Sequence, residues 1–252
     1  MNPESKGQRV KLSCDSSCPK TSEYNYLWYK NGQPLVINNQ SIFVSSSENT
    51  NSYYCVKFVS EPSSSVCFSN SSCWGVNYTS RRVCALVGST VDIHSSYSHP
   101  TGYTVEKTYW EYYYWGFRDL REDHQFSGRV EYLGNTLRIK DVNRNDTGKY
   151  YFNIITNTSD EVIGYPGVYL TVTGTQVRSS PDPVIDGEKV IFSCLTTRCT
   201  LDNKHTYIWY KNGQQVTDGL TLLNKLYLDS INSEELQEYS CTVRDTMDKT
   251  NA

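Results

Sequence analysis

Apolar and polar positions alternate with a period of two along many short stretches of this 252-residue chain. In Val10-Lys11-Leu12-Ser13-Cys14 the alternation puts Val10, Leu12 and Cys14 on one face, the pattern of a half-buried strand. It recurs at Val91, Ile93 and Ser95, in Val190-Ile191-Phe192-Ser193-Cys194 and in Val168-Tyr169-Leu170-Thr171-Val172. Leu27-Trp28-Tyr29-Lys30-Asn31-Gly32 reads as a strand entering an Asn-Gly turn, and Ser52-Tyr53-Tyr54-Cys55 as its return. No segment sustains a helical period, so the pattern predicts an all-β chain.

Four residues recur in a fixed order on these strands. Cys14, Trp28, Tyr53 and Cys55 form one set; Cys194, Trp209, Tyr239 and Cys241 form another. The wording around the tryptophan also repeats, with Ile208–Gln214 matching Leu27–Gln33 almost letter for letter. Between the two sets, Ser95, Trp110, Tyr150 and Phe152 keep the order but lack both cysteines, and Asp146-Thr147-Gly148-Lys149-Tyr150 supplies a tyrosine-corner context. Two sheets stapled by a disulfide, with a tryptophan packed on the sulfurs, are the chemistry of an immunoglobulin sandwich. The predicted architecture is therefore three tandem immunoglobulin-like β-sandwiches. A constant-type sandwich covers 1–60, a linker 61–76, a variable-type sandwich 77–173 and a second constant-type sandwich 174–252. The last is expected to be truncated, because only a polar tail follows Cys241.

In the middle sandwich Ser95 and Phe152 stand where the sulfurs belong, and a small residue facing a large one is expected to fill the lost volume. The swap forfeits a cross-link of about 2–5 kcal/mol. A buried serine hydroxyl without a partner costs about 1–3 kcal/mol more. The middle sandwich is thus expected to be the least stable of the three unless its neighbours hold it.

Nine cysteines in units this small point to an oxidising compartment. Cys14–Cys55 and Cys194–Cys241 are the internal staples. Cys84 and Cys199 are surplus to them, and a bridge between the two would lock the middle and last sandwiches together. Cys67 and Cys73 are close enough in sequence to close a small loop. Cys18 is left unpaired. It follows Cys14 as Cys199 follows Cys194, which predicts another variable-type sandwich before Met1; pairing of Cys18 with Cys67 or Cys73 stays open.

A net charge of −3 without a long basic run argues against nucleic acid or an anionic membrane as the main partner. No stretch approaches 18 apolar residues, and Met1–Lys6 has no signal-peptide core. A secreted-type body without an address reads as a fragment, with membrane attachment expected only through a segment outside it. The histidines, His94, His99, His124 and His205, have no metal-ligand spacing, and neither a Gly-x-Ser-x-Gly elbow nor a phosphate-cradling loop occurs. The reading is no enzyme, no metal and no cofactor. Glycosylation sequons fall at Asn39, Asn70, Asn77, Asn145 and Asn157.

Arg82-Val83-Cys84-Ala85-Leu86-Val87-Gly88-Ser89-Thr90-Val91, followed by Tyr109-Trp110 and Tyr150-Tyr151-Phe152, resembles the siglec family, the sialic-acid-binding immunoglobulin-like lectins, and among them the B-cell siglec-type receptors. The resemblance spans nearly the whole chain. It implies an immune cell-surface receptor ectodomain on the extracellular side of the plasma membrane, with a disulfide from the variable-type sandwich to the next at Cys84 and Cys199. It also implies a carboxylate-binding arginine after the Tyr-x-Phe run. That position is Asn153, an amide without charge, and Cys84–Thr173 carries 8 Lys and Arg against 11 Asp and Glu. Charge-assisted pairs are roughly twice as strong as neutral ones, so sialic acid binding is not expected here.

Another contact surface is expected instead. If Trp110 faces the core, alternation turns Tyr109, Glu111, Tyr113 and Trp115 outward, with Tyr151 and Asn153 beside them on the return strand. Such aromatic surfaces anchor protein contacts; the alternative is that a second sandwich, or a bulge in the strand, covers the patch. The function read from sequence is recognition and adhesion toward a cell-surface glycoprotein, glycan or protein ligand. The alternative is a soluble secreted decoy or scaffold of tandem sandwiches that binds a protein.

Overall fold

The computed structural model describes residues 9–14, 26–46, 50–57, 63, 65–67, 73–113, 119–158, 160–201, 205–217 and 219–245. Among them, regular structure is strand apart from short 3-10 turns such as Leu120–Glu122 and Arg144–Asp146. The chain divides into two compact units. Unit 1 comprises Met1–Arg81, Asp92–Arg138 and Lys149–Tyr169; unit 2 comprises Arg82–Val91, Ile139–Gly148 and Leu170–Ala252. The first sandwich belongs to unit 1 and the last to unit 2, while segments of the middle one are assigned to each.

In the first sandwich, Arg9–Ser13 pairs antiparallel with Ser41–Ser45. The second sheet runs in the order Gln33–Leu35, Tyr26–Lys30, Ser52–Lys57, Val66–Cys67. Cys14, Ile42 and Val44 from one side meet Trp28, Tyr53 and Cys55 from the other in a single core. Trp28 lies opposite Cys55 in register, and its indole N–H donates to the Asn39 carbonyl at 2.8 Å. Each enclosed side chain stabilises by about 1.5–3 kcal/mol, which is little for a whole domain. The Cys14–Cys55 bond, with a sequence separation of 41, adds about 4 kcal/mol by restricting the unfolded chain. Cys67 is bonded to Cys73. The Asn31-Gly32 turn has positive φ at both residues, +50° and +81°, as a two-residue hairpin of this hand requires.

The part of the middle sandwich in unit 1 pairs Val105–Tyr112 with Gly148–Thr156, which in turn pairs with Glu161–Ile163. Gly75–Tyr78 pairs with Val91–Ser98. Trp110 and Phe152 are opposite in register, with ring centroids 5.3 Å apart. Phe152 also makes a ring contact with the facing sheet. Its other ring partner is Tyr97, at 6.0 Å. Tyr97 is two residues farther than Ser95 along the same strand face. The half-buried Ser95 hydroxyl donates to the Asn135 carbonyl at 2.7 Å, so it is not left unsatisfied. Trp110, Phe152 and Tyr97 thus form an aromatic triplet in the part of the sandwich that lacks the staple. Below it, buried Asp119 accepts from Arg121 at 2.7 and 3.0 Å and from the Tyr132 hydroxyl at 2.9 Å, with Lys107 at 3.3 Å.

In unit 2 the last sandwich has one sheet in the order Thr175–Ser180, Val190–Thr196, Lys225–Leu228, Leu220–Leu222 and another in the order Gln214–Gln215, His205–Lys211, Tyr239–Asp245. Trp209 lies opposite Cys241, and Cys194–Cys241 staples a core of Val190, Phe192, Leu226 and Val243. Arg82–Leu86 also belongs to this unit. Its Cys84 is bonded to Cys199 across a sequence separation of 115, and Leu86 packs against the last sandwich's core. The fully buried Thr173 hydroxyl accepts from the backbone N–H groups of Thr197 and Arg198, both at 3.1 Å. A covalent bond, an apolar contact and two hydrogen bonds therefore fix this end of the middle sandwich to the last one. Cys18 and the tail after Asp245 lie outside the described residues.

Candidate ligand-contact face

The register puts Tyr109 opposite Asn153 and Glu111 opposite Tyr151. These four side chains therefore share the sheet face that looks away from Trp110 and Phe152, as alternation predicts. They do not, however, form an open surface. Tyr109 is 2 % exposed, Tyr151 6 % and Asn153 0 %. Tyr113 is open, at 70 %, and Trp115 lies outside the described residues.

The first sandwich provides the cover. Tyr29 and Tyr54 are cross-strand neighbours on its outer sheet face and stack at 4.8 Å. Tyr165 stacks on Tyr29 at 4.6 Å and on Tyr54 at 5.5 Å, and Tyr151 on Tyr165 at 6.0 Å. The Lys149 ammonium lies 5.2 Å from the Tyr165 ring centroid, a geometry that adds cation–π attraction. Gly32 approaches so closely that a Cβ there would stand 1.9 Å from the Ile163 carbonyl oxygen. The Gln33 side chain donates to the Glu161 carbonyl at 3.3 Å. As a result Ser52–Lys57 is buried on both of its faces.

The polar groups of the covered face are spent internally. The Asn153 amide donates to Glu111 at 2.7 Å, and its oxygen accepts from the Gly164 N–H at 3.3 Å. The Tyr109 hydroxyl donates to the Glu161 carboxylate. The Tyr78 hydroxyl accepts from the Phe152 N–H at 3.0 Å and donates to the Gly164 carbonyl at 2.5 Å. Burial pushes the Tyr109, Tyr151, Tyr29 and Tyr54 hydroxyls well above the usual phenol range. For Tyr109 the hydrogen bond to Glu161 adds to it. The face is closed and aromatic; mechanically it is a joint.

Sequence reasoning missed Tyr29, Tyr54, Tyr165 and Gly32 as participants. Tyr29 follows Trp28 and Tyr54 precedes Cys55, so alternation alone turns both outward. The last sandwich has Tyr210 opposite Ser240 at the matching pair, and this difference between the repeats was the available signal. Asn39, Asn77, Asn145 and Asn157 are all exposed, and Asn70 lies outside the described residues. Among the described residues, no group of three or more His, Cys, Asp or Glu could hold a metal ion, and no helix is long and apolar enough to cross a membrane.

No known protein-family profile matches the chain. Among solved structures it is similar to extracellular domains 3–5 of Drosophila OTK, at 18 % identity and a TM-score of 0.32, covering 96 % of this chain and 88 % of that one. It is also similar to immunoglobulin domains 1–4 of Sidekick-1, at 15 % identity and a TM-score of 0.29, covering 96 % and 66 %. A third is the four N-terminal Ig domains of Dscam1 isoform 8.4, at 18 % identity and a TM-score of 0.30, covering 96 % and 67 %. The immunoglobulin-like assignment rests on the strands, staples and tryptophan cores described above.

Proposed function

We propose that the chain is an extracellular recognition module of an immune cell-surface receptor and that its ligand is a protein rather than a sialylated glycan. The observation that carries this reading is the state of Asn153. The siglec resemblance assigns the carboxylate-binding role to that position, and its amide is fully buried and hydrogen-bonded to Glu111 and Gly164. A ligand carboxylate reaching it would have to displace the tyrosine stack. Stapled tandem sandwiches with exposed sequons suit an oxidising, extracellular setting. Among the described residues of the expected contact set, Tyr113, at 70 % exposure, is the open aromatic.

The test uses the whole chain, secreted and tetramerised, on arrays of cell-surface ectodomains and of sialylated glycans. Saturable binding to an ectodomain, weakened by Tyr113→Ala with Trp115→Ala, is expected, with no sialoside signal. Asn153→Arg should not create a lectin. A guanidinium forced into a fully enclosed site costs several kcal/mol, so secretion should fall. Sialoside binding by the wild type, or normal secretion of the arginine variant with new sialoside binding, refutes the proposal.

A further inference from the structure

The wording Trp-Tyr-Lys-Asn-Gly-Gln occurs twice, at 28–33 and at 209–214. Each copy makes a two-residue hairpin turn with positive φ at the asparagine and the glycine. An asparagine followed by glycine is also open to a reaction of the chain with itself. The glycine's backbone nitrogen attacks the asparagine's side-chain carbonyl carbon and closes a five-membered imide ring. Glycine has no Cβ to hinder that approach. In a folded protein the side chain must be free to swing, the glycine peptide free to turn, and water able to reach both. With local sequence and backbone matched, the two copies differ in their tertiary surroundings.

In the first copy every one of these freedoms is denied. The Asn31 amide nitrogen donates to the Asn51 side-chain oxygen at 2.7 Å. The Asn31 side-chain oxygen accepts from the Ser52 N–H at 2.9 Å and the Ser52 hydroxyl at 3.4 Å. Its backbone N–H donates to the Ser52 carbonyl at 2.9 Å. Gly32 is buried against Ile163 without room for a Cβ. In the second copy Asn212 and Gly213 are both exposed, and a Cβ on Gly213 would meet nothing within 4 Å. The Asn212 backbone N–H donates to the Glu238 carbonyl at 2.9 Å, but among the described residues its side-chain amide has no partner.

We propose that Asn212 is a site of spontaneous deamidation through a cyclic imide, and that its twin Asn31 is shielded from the same reaction. The Gly213 nitrogen gives its proton to solvent and forms a bond to the Asn212 Cγ. The bond from Cγ to the amide nitrogen breaks, and that nitrogen takes up a proton and leaves as ammonia. Water then opens the ring. Attack at Cγ leaves an aspartyl residue; attack at the backbone carbonyl carbon leaves an isoaspartyl linkage, with the chain routed through Cβ and Cγ. One water is consumed and one ammonia released, with no change of oxidation state. Either product puts a carboxylate next in sequence to Lys211, which is already paired with Glu235 at 2.7 Å. The isoaspartyl product also lengthens a loop whose length fixes the hairpin register. The edge strand Gln214–Gln215 of the last sandwich thus changes in charge and shape as the protein ages, while the joint of unit 1 is spared.

The experiment incubates the whole chain in mildly alkaline buffer, native and, in parallel, reduced and unfolded in guanidinium chloride. Tryptic peptide mass spectrometry with electron-transfer fragmentation follows aspartyl and isoaspartyl product at positions 31 and 212. In the unfolded chain the two asparagines should convert at similar rates, because their local sequences match. In the native chain Asn212 should convert within about tenfold of the unfolded rate, because only an exposed turn has to open. Native Asn31 should be slower than Asn212 by about tenfold or more, a factor matching one retained hydrogen bond. Gly213→Ala should slow conversion at Asn212 severalfold, native and unfolded, because the ring closes on that nitrogen. Native Asn212 that stays intact while the unfolded chain converts overturns the proposal. Equal native rates at the two positions overturn it as well, as does product formed as fast in Gly213→Ala as in wild type, which would mean direct hydrolysis of the amide.

Discussion

Replacing Gly32 by alanine tests the joint of unit 1 against an internal control. Gly32 and Gly213 sit at the same place in the repeated Trp-Tyr-Lys-Asn-Gly-Gln wording, with nearly the same backbone, φ +81° and +78°. An L side chain in this left-handed conformation costs about 1–2 kcal/mol at either position. Their surroundings differ. A Cβ on Gly213 meets nothing within 4 Å, whereas one on Gly32 would lie 1.9 Å from the Ile163 oxygen and 2.7 Å from its carbonyl carbon. Ordinary contact begins near 3.4 Å, so the surfaces must part by about 1.5 Å, enough to forfeit much of the dispersion attraction between them. The stacks of Tyr165 on Tyr29 and Tyr54 lie directly in that interface, and aromatic pairs contribute about 0.5–1.5 kcal/mol each. Gly32→Ala is therefore expected to cost about 1–3 kcal/mol more than Gly213→Ala. Hydrogen exchange over residues 52–57 and 161–167 should report it, with rates rising by about 5- to 150-fold in Gly32→Ala and unchanged in Gly213→Ala. Equal, small effects of the two substitutions would refute the packed joint and reopen Tyr109 and Tyr151 as a ligand surface.

Two further outcomes are expected. Cys199→Ser opens a link across a sequence separation of 115 and should lower stability by up to about 5 kcal/mol, read as an earlier denaturant midpoint for the unfolding of unit 2; an unmoved midpoint removes its structural role. Asp119 is held well below the usual carboxylate range: burial opposes this, but hydrogen bonds from Arg121, Tyr132 and Lys107 outweigh it. Because the folded value is depressed, its contribution is complete above the ordinary value near 3.8 and fades as pH falls below it. Acid titration followed by circular dichroism should therefore show a shallower loss of stability below pH 4 for Asp119→Asn than for wild type. The variant should also be weaker at neutral pH by about 1.5–3 kcal/mol. Parallel acid curves would rule out Asp119 as the source.

The order Cys, Trp, Tyr, Cys and the period-two alternation sufficed to establish the all-β class and the inward positions of Trp28, Trp110 and Trp209. The reason is local: a strand sends successive side chains to opposite faces whatever surrounds it. The same rule placed Tyr109, Glu111, Tyr151 and Asn153 together on one face. It is silent about what lies against that face. The strand Ser52–Lys57 is buried throughout, while in its counterpart Tyr239–Asp245 outward Ser240 and Thr242 are exposed. The two strands carry the same frame and differ in their neighbours. The contact of Tyr97 with Phe152 was likewise hidden, because reach across a core depends on side-chain length and sheet separation rather than on order along the chain. Which side chains point out is thus written in the strand itself. Whether the outside is water or another sandwich was decided only when the Gly32 turn and the Tyr29 and Tyr54 rings met Ile163 and Tyr165, more than a hundred residues away in sequence.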